Sequence, residues 1–97
     1  MALIDFHDVD ELKNRNEALV WKAIEAHFAA NPGICRCRDC ILDTAALALN
    51  RLPPRYQVYT FHDNNPAGEA EQAVQETQAG EAVAAASSQV AKRPHHL

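Results

Sequence analysis

Serine, glycine and long apolar runs are all in short supply in this chain, and each shortage removes a class of function. The two serines, Ser87 and Ser88, sit side by side in a stretch where nothing would orient a nucleophile. The three glycines form no phosphate-cradling loop, and no paired-carboxylate motif is present. Nothing resembles a catalytic constellation, so a non-enzymatic role is expected. Asp43 and Asn50 read as helix-end and interface hydrogen bonders rather than acid–base groups. No apolar run approaches the roughly 20 residues of a membrane span. The start, Met1-Ala-Leu-Ile-Asp-Phe-His-Asp8, is acidic and lacks the basic opening of a secretory signal. Cysteine occurs only at positions 35, 37 and 40, which leaves no separate disulfide partner. An odd number of closely spaced thiols without a signal sequence points to the reducing cytoplasm. The net charge of −4 works against direct nucleic-acid binding, and no membrane partner is expected.

Large side chains are unevenly distributed. The apolar fraction of 47% is rich in alanine, and the large apolar residues lie almost entirely before Pro66. A core built from roughly 60 residues commonly needs a metal or a second subunit. Two segments are therefore expected: a helical domain over residues 1–65 and a low-complexity tail over 66–97. In the tail Ala, Gln, Glu, Gly and Ser dominate, and Val74, Val83 and Val90 are the only large aliphatics before Leu97. Helix propensity there is high between Glu69 and Lys92, but the apolar surface looks too small to offset the ordering entropy. The expectation is a flexible tail, partly helical or disordered.

Within the first segment, residues 1–13 read as a short docking arm or a helical turn, with Leu3, Ile4, Phe6, Val9 and Leu12 as its apolar contacts. A helix is predicted from about Asn14 to Ala30, with Leu19, Val20, Ile24, His27 and Phe28 on one stripe and Trp21 at its edge. Asn31-Pro32-Gly33 stops it. A second helix is predicted from about Asp39, as N-cap, to Arg51. It is apolar nearly all round, which predicts burial between subunits. Leu52-Pro53-Pro54 ends it. Arg55 to Phe61 alternates as a strand, with Tyr56, Val58 and Thr60 on one side. With no other strand predicted, it is expected to lie over the helices or to pair with its copy in a dimer.

Cys35, Cys37 and Cys40 occupy the joint between the two helices. Thiols this close in a short chain favour a metal over a staple, and zinc prefers thiolates. The helix N-terminus and the neighbouring Arg36 and Arg38 would favour the thiolate form. Packed thiols are the plain alternative. A redox pair of Cys37 and Cys40 would need a thioredoxin-like βαβ context that the pattern lacks. Three sulfurs leave one tetrahedral position. His62, after the strand, is the favoured fourth ligand, with His27, His7 and a residue of a second subunit as alternatives.

Asn16-Glu-Ala-Leu-Val20, then Cys-x-Cys-x-x-Cys, then Asp43-Thr-Ala-Ala-Leu-Ala-Leu-Asn-Arg-Leu-Pro-Pro-Arg-Tyr56 resembles the ComFB late-competence family over roughly residues 14–62. The resemblance implies a small all-α homodimer with one extended segment per subunit. It also implies structural zinc in the cysteine-bearing members and no enzymatic activity. Four cysteines per zinc are expected in those members, and this chain has three. The family has been implicated in sensing cyclic dinucleotides, cyclic di-GMP above all, and its name is tied to DNA uptake. Such a ligand presents phosphates and stackable bases, which arginines and aromatic rings recognise. Arg51, Arg55, Tyr56 and Tyr59 bring those types together beside a rigid Pro-Pro, and a two-fold dimer would double them. Structural roles for the same four residues remain the alternative. The function expected is a dimeric, zinc-stabilised receptor for a cyclic dinucleotide. The alternative is a zinc-stabilised adaptor of the DNA-uptake machinery that takes no small molecule.

Overall fold

A computed structural model describes residues 2–7, 9–58 and 68–92. Two short 3-10 turns, Leu3–Phe6 and Val9–Glu11, lead into strand β1 (Leu12–Asn14). Helix α1 (Asn16–Ala30), helix α2 (Arg38–Arg51), strand β2 (Tyr56–Val58) and helix α3 (Glu69–Lys92) follow.

Helix α1 begins where Asn14 turns its side chain back. The Asn14 Oδ1 accepts from the amides of Asn16 and Arg55, both at 3.1 Å, and the Glu17 carboxylate accepts from the Asn14 amide at 3.2 Å. At the far end the orphan carbonyls find donors. Asn31 Nδ2 reaches the His27 carbonyl at 2.8 Å, and the Arg36 guanidinium reaches that of Phe28 at 2.7 Å. The predicted stripe is the buried one: Val20, Ile24 and Phe28 are buried, Leu19 and His27 half-buried, and Trp21 is 43% exposed.

Helix α2 runs antiparallel to α1, tied at one end by Arg36 on Phe28 and at the other by Asn16 Nδ2 on the Pro53 carbonyl at 2.7 Å. Its N-cap is Cys37 and not Asp39: the Cys37 Sγ accepts from the Cys40 amide at 3.4 Å, doing what a serine or aspartate oxygen usually does. The helix stops at Leu52, extended at φ −96° and ψ 146°, as a residue before proline must be.

The strand expectation needs correction. β2 does not lack a partner in its own chain; it pairs antiparallel with β1 in the register Leu12↔Val58, Lys13↔Gln57, Asn14↔Tyr56. The Arg15 amide extends the pairing to the Arg55 carbonyl at 2.8 Å. The architecture is accordingly mostly helical with a small two-strand sheet, rather than all-α. Positions 59–61, also read as strand, lie outside the described residues.

The expectation of a loose tail also fails over Glu69–Lys92. These residues form one helix that packs across both α1 and α2, and its Ala79, Ala82, Val83 and Ala86 join Val20, Ile24, Phe28, Ala45, Ala48 and Leu52 in a single core. The physical reason is size. Alanines at this spacing bury little area each, but they let helix backbones approach closely, so packing replaces bulk. Helix α3 also explains why α2 is apolar on several sides. Ile41, Leu47 and Leu49 pack against the shared core within one chain, and Leu42 is 40% exposed.

Candidate metal centre and basic cluster

The turn after Asn31-Pro-Gly brings the three cysteines to the N-terminus of α2. No disulfide joins them, and their Sγ atoms all lie within 4.8 Å of one another. Cys40 is buried, and Cys35 and Cys37 are half-buried. A tetrahedral ion with bonds of about 2.3 Å holds its sulfurs about 3.8 Å apart, so movements under about 1 Å would close this set around zinc. The donor chemistry fits as well, since three sulfurs select a soft or borderline cation over magnesium or calcium.

The thiols are electrostatically unequal. The Cys37 thiol is shifted below its ordinary value, first by the backbone amide of Cys40 and then by the Cys40 thiol. The helix N-terminus therefore favours thiolate here, as expected, but the flanking arginines are occupied elsewhere. Arg36 holds the end of α1, and Arg38 pairs with Asp39 at 3.6 Å on the surface. Burial pushes the Cys40 thiol up to about 12, with hydrogen bonds to the Cys37 and Cys35 thiols adding to it. A bound dication would reverse that direction, because a coordinating thiol is deprotonated.

Among the described residues, no histidine or carboxylate joins the three sulfurs. His62, the expected fourth ligand, lies outside the described residues. His27 is half-buried on α1, meets Phe28 edge-on at 6.1 Å between ring centroids, and lines a groove with Leu19, Lys22 and Glu76. That groove lies between α1 and α3 of the same chain. His7 is exposed in the N-terminal arm.

The other predicted residues lie at the opposite end of the α1–α2 pair, about 20 Å away for a helix of this length. Asn16, fully buried, is the centre of this end. Its Oδ1 accepts from Arg55 at 2.8 Å while its Nδ2 donates to Pro53, and the second arm of the Arg55 guanidinium donates to Gln78 of α3 at 2.9 Å. One planar fork thereby ties the ribbon to α1 and α3. Arg51 donates to Gln89 of α3 at 3.2 Å and borders a shallow groove of about 490 Å³ with Ser88, Gln89 and Lys92. Tyr56 is 63% exposed and lines a second groove with Asn14, Leu49 and Pro54. Tyr59 lies outside the described residues. Asn16, Gln78, Gln89 and Lys92 were not singled out from the sequence. No sequence signal marks Asn16, whose burial at the start of α1 comes from tertiary packing, and the α3 residues were hidden by the tail reading.

The pattern of this fold has a match among protein families. The family model described as late competence development protein ComFB matches residues 13–94. The chain belongs to the ComFB family. The match takes in α3 as well as the cysteine joint and the Pro-Pro block, so the ComFB domain of this chain includes the third helix. Neither a curated protein sequence nor a solved structure matches the chain.

Proposed function

We infer that this ComFB protein is a non-catalytic regulatory module. It acts as a homodimer, is stabilised by zinc at Cys35, Cys37 and Cys40, and binds a cyclic dinucleotide, cyclic di-GMP first among them. The observation that carries the reading is the separation of two chemistries in one small fold. The sulfur cluster sits at one end of the α1–α2 pair, and Arg51, Arg55 and Tyr56 lie toward the other, with Arg51 and Tyr56 on separate grooves and Arg55 bound to Asn16 and Gln78. Zinc would hold the joint between helices and carry out no step of its own. The three thiolates would hold it, with His62 the proposed fourth ligand.

At the other end, Arg55 is already aimed and braced by Asn16 and Gln78. Arg51 is exposed with Lys92 and Ser88 beside it, an arrangement suited to phosphate oxygens. Tyr56 offers an exposed ring for a base, and Tyr59 is proposed beside it. Binding would compete with the Arg51–Gln89 hydrogen bond and so bias how α2 and α3 sit together, a population shift that a partner can read. The family description, late competence development, supports competence-related signalling as the setting of that partner. A cytoplasmic site of action belongs to the same proposal, and no described helix is long and apolar enough to cross a membrane.

The test compares cyclic di-GMP binding by Arg51→Ala, Tyr56→Ala and wild type, each loaded with zinc. Loss of at least about tenfold in affinity for Arg51→Ala, with melting unchanged, supports the reading. Wild-type affinity in both variants removes these residues from the site. An absence of any nucleotide binding moves the function to the adaptor reading.

A further inference from the structure

We propose that Cys37 and Cys40 form a reversible dithiol–disulfide pair, with Cys37 the attacking sulfur, Cys40 the resolving one and a small disulfide of the glutathione class as co-reactant. The βαβ setting of thioredoxin-like proteins is absent among the described residues, but the local part of that chemistry is present. Cys37 caps α2, and its Sγ accepts from the Cys40 amide at 3.4 Å. Cys-x-x-Cys pairs at the start of a helix react in this arrangement. Cys40 follows one turn on and is 3% exposed, whereas Cys37 is half-buried.

The helix start is fixed on both sides of the pair. The Ile41 amide donates to the Cys37 carbonyl at 3.0 Å, and the Thr44 hydroxyl donates to the Cys40 carbonyl at 2.7 Å. A disulfide needs Cα atoms about 4.4–6.8 Å apart, a span that residues three apart in one helical turn meet. The sulfurs lie within 4.8 Å of one another, so side-chain rotation closes the bond. Cys35 lies before the helix. A bond from it to Cys40 would have to bend the segment that Arg36 ties to the Phe28 carbonyl at 2.7 Å.

Access sets the order of steps. The Cys37 sulfur gives its proton to solvent and attacks one sulfur of RS–SR; the Cys37–SR bond forms, the S–S bond breaks, and RS⁻ leaves and takes up a proton. The Cys40 sulfur then gives up its proton and attacks the Cys37 sulfur; the Cys37–Cys40 bond forms and the second RS⁻ leaves as RSH. The dithiol is oxidised by two electrons and RS–SR is reduced to two RSH. Excess RSH runs the sequence backwards. In a reducing compartment such a pair is transient and sensing, not a staple. Its consequence for the metal rests on the zinc reading: the disulfide removes two of the three sulfur donors, so oxidation would release zinc and loosen the joint between α1 and α2.

The test equilibrates the full chain, metal-free and zinc-loaded, with mixtures of oxidised and reduced glutathione, followed by acid quench and mass spectrometry. Trypsin cuts after Arg36 and Arg38 and so places the three cysteines on separate peptides. The metal-free chain is expected to link the Cys37 and Cys40 peptides, keep Cys35 as a thiol, and reopen in excess reduced glutathione. Cys37→Ser retains a capping oxygen and with it the helix start; it should slow intramolecular oxidation at least about tenfold. Cys40→Ser should stop at the mixed disulfide on Cys37. Zinc-loaded protein should oxidise more slowly and release zinc in step with the bond. A linkage through Cys35, oxidation of Cys37→Ser at the wild-type rate, or a metal-free chain that forms no intramolecular bond in oxidised glutathione overturns the proposal. Zinc binding without a disulfide would keep the metal centre and remove the switch. A disulfide in a chain that binds no zinc would do the reverse.

Discussion

Helix α3 carries two valines in opposite environments, and the same substitution at each gives a sharp test of its place in the core. Val83 is fully buried and Val74 is 56% exposed. Val83→Ala removes two buried methyl groups, about 1.6 kcal/mol of transfer free energy at ~0.8 kcal/mol each. Incomplete collapse of the space left behind adds up to about 1 kcal/mol. Alanine's better helix propensity offsets about 0.5 kcal/mol of this. The net expectation is a loss of about 1–2 kcal/mol for Val83→Ala. Only the propensity change remains at Val74, so Val74→Ala should be neutral or stabilising by up to about 0.5 kcal/mol. Urea unfolding followed by far-ultraviolet circular dichroism reads both, with the midpoint as the observable and the slope as the check on two-state behaviour. Equal effects at the two positions would refute the placement of α3 in the core. A neutral Val83→Ala would restore the mobile-tail expectation.

The remaining predictions concern the two ends of the helix pair and the middle of α3. Asn16→Ala should cost about 1–3 kcal/mol in the same unfolding assay, because it removes the partner of the Pro53 carbonyl and of one arm of Arg55 at a part-buried site. Gly80→Ala should stabilise by about 0.5–1 kcal/mol, since Gly80 lies inside α3 and an added Cβ would meet nothing within 4 Å. In metal-free protein at neutral pH, Cys37 should be alkylated ahead of Cys40, because its thiol is shifted down and that of Cys40 up to about 12; mass spectrometry of the modified peptide reads the order, and zinc should protect all three. Glu76 is held below its ordinary value by the Lys22 ammonium 3.0 Å away. Its contribution is full above the unfolded carboxyl value and fades as pH falls through the lowered one. Lys22→Ala should therefore lower stability slightly in the neutral region, leave it unchanged at pH below the lowered value, and so flatten the acid limb of a stability–pH curve.

The parts of this fold that were legible in the sequence are those with strong punctuation. Asn31-Pro-Gly and Pro53-Pro54 bracket α2, and the stripe of Val20, Ile24 and Phe28 fixes the buried face of α1. The predicted starts, about Asn14 and Asp39, fall within two residues of the observed Asn16 and Arg38. The centre of the alternating segment, Tyr56–Val58, is strand. Its partner was not legible, because Leu12–Asn14 is three residues long and shows no alternation of its own. The helix propensity of Glu69–Lys92 was legible, but the place of α3 in the core was missed because hydrophobic bulk was taken as the mark of a core element. Ala79, Ala82, Val83, Ala86 and Val90 do recur at helical spacing, and that stripe of small residues was the available signal. At the candidate site, cysteine spacing alone located the sulfur cluster. The N-cap role of Cys37 depends on a local turn that spacing does not reveal. Asn16 is a polar side chain whose burial follows only from the meeting of the ribbon, α1 and the segment after α2.

The most direct test of the receptor account is a calorimetric titration of the zinc-loaded chain with cyclic di-GMP, with cyclic di-AMP and GTP as controls. The account predicts saturable binding at micromolar or tighter affinity with a defined stoichiometry per dimer. No heat, together with no rise in melting temperature at saturating nucleotide, would contradict it.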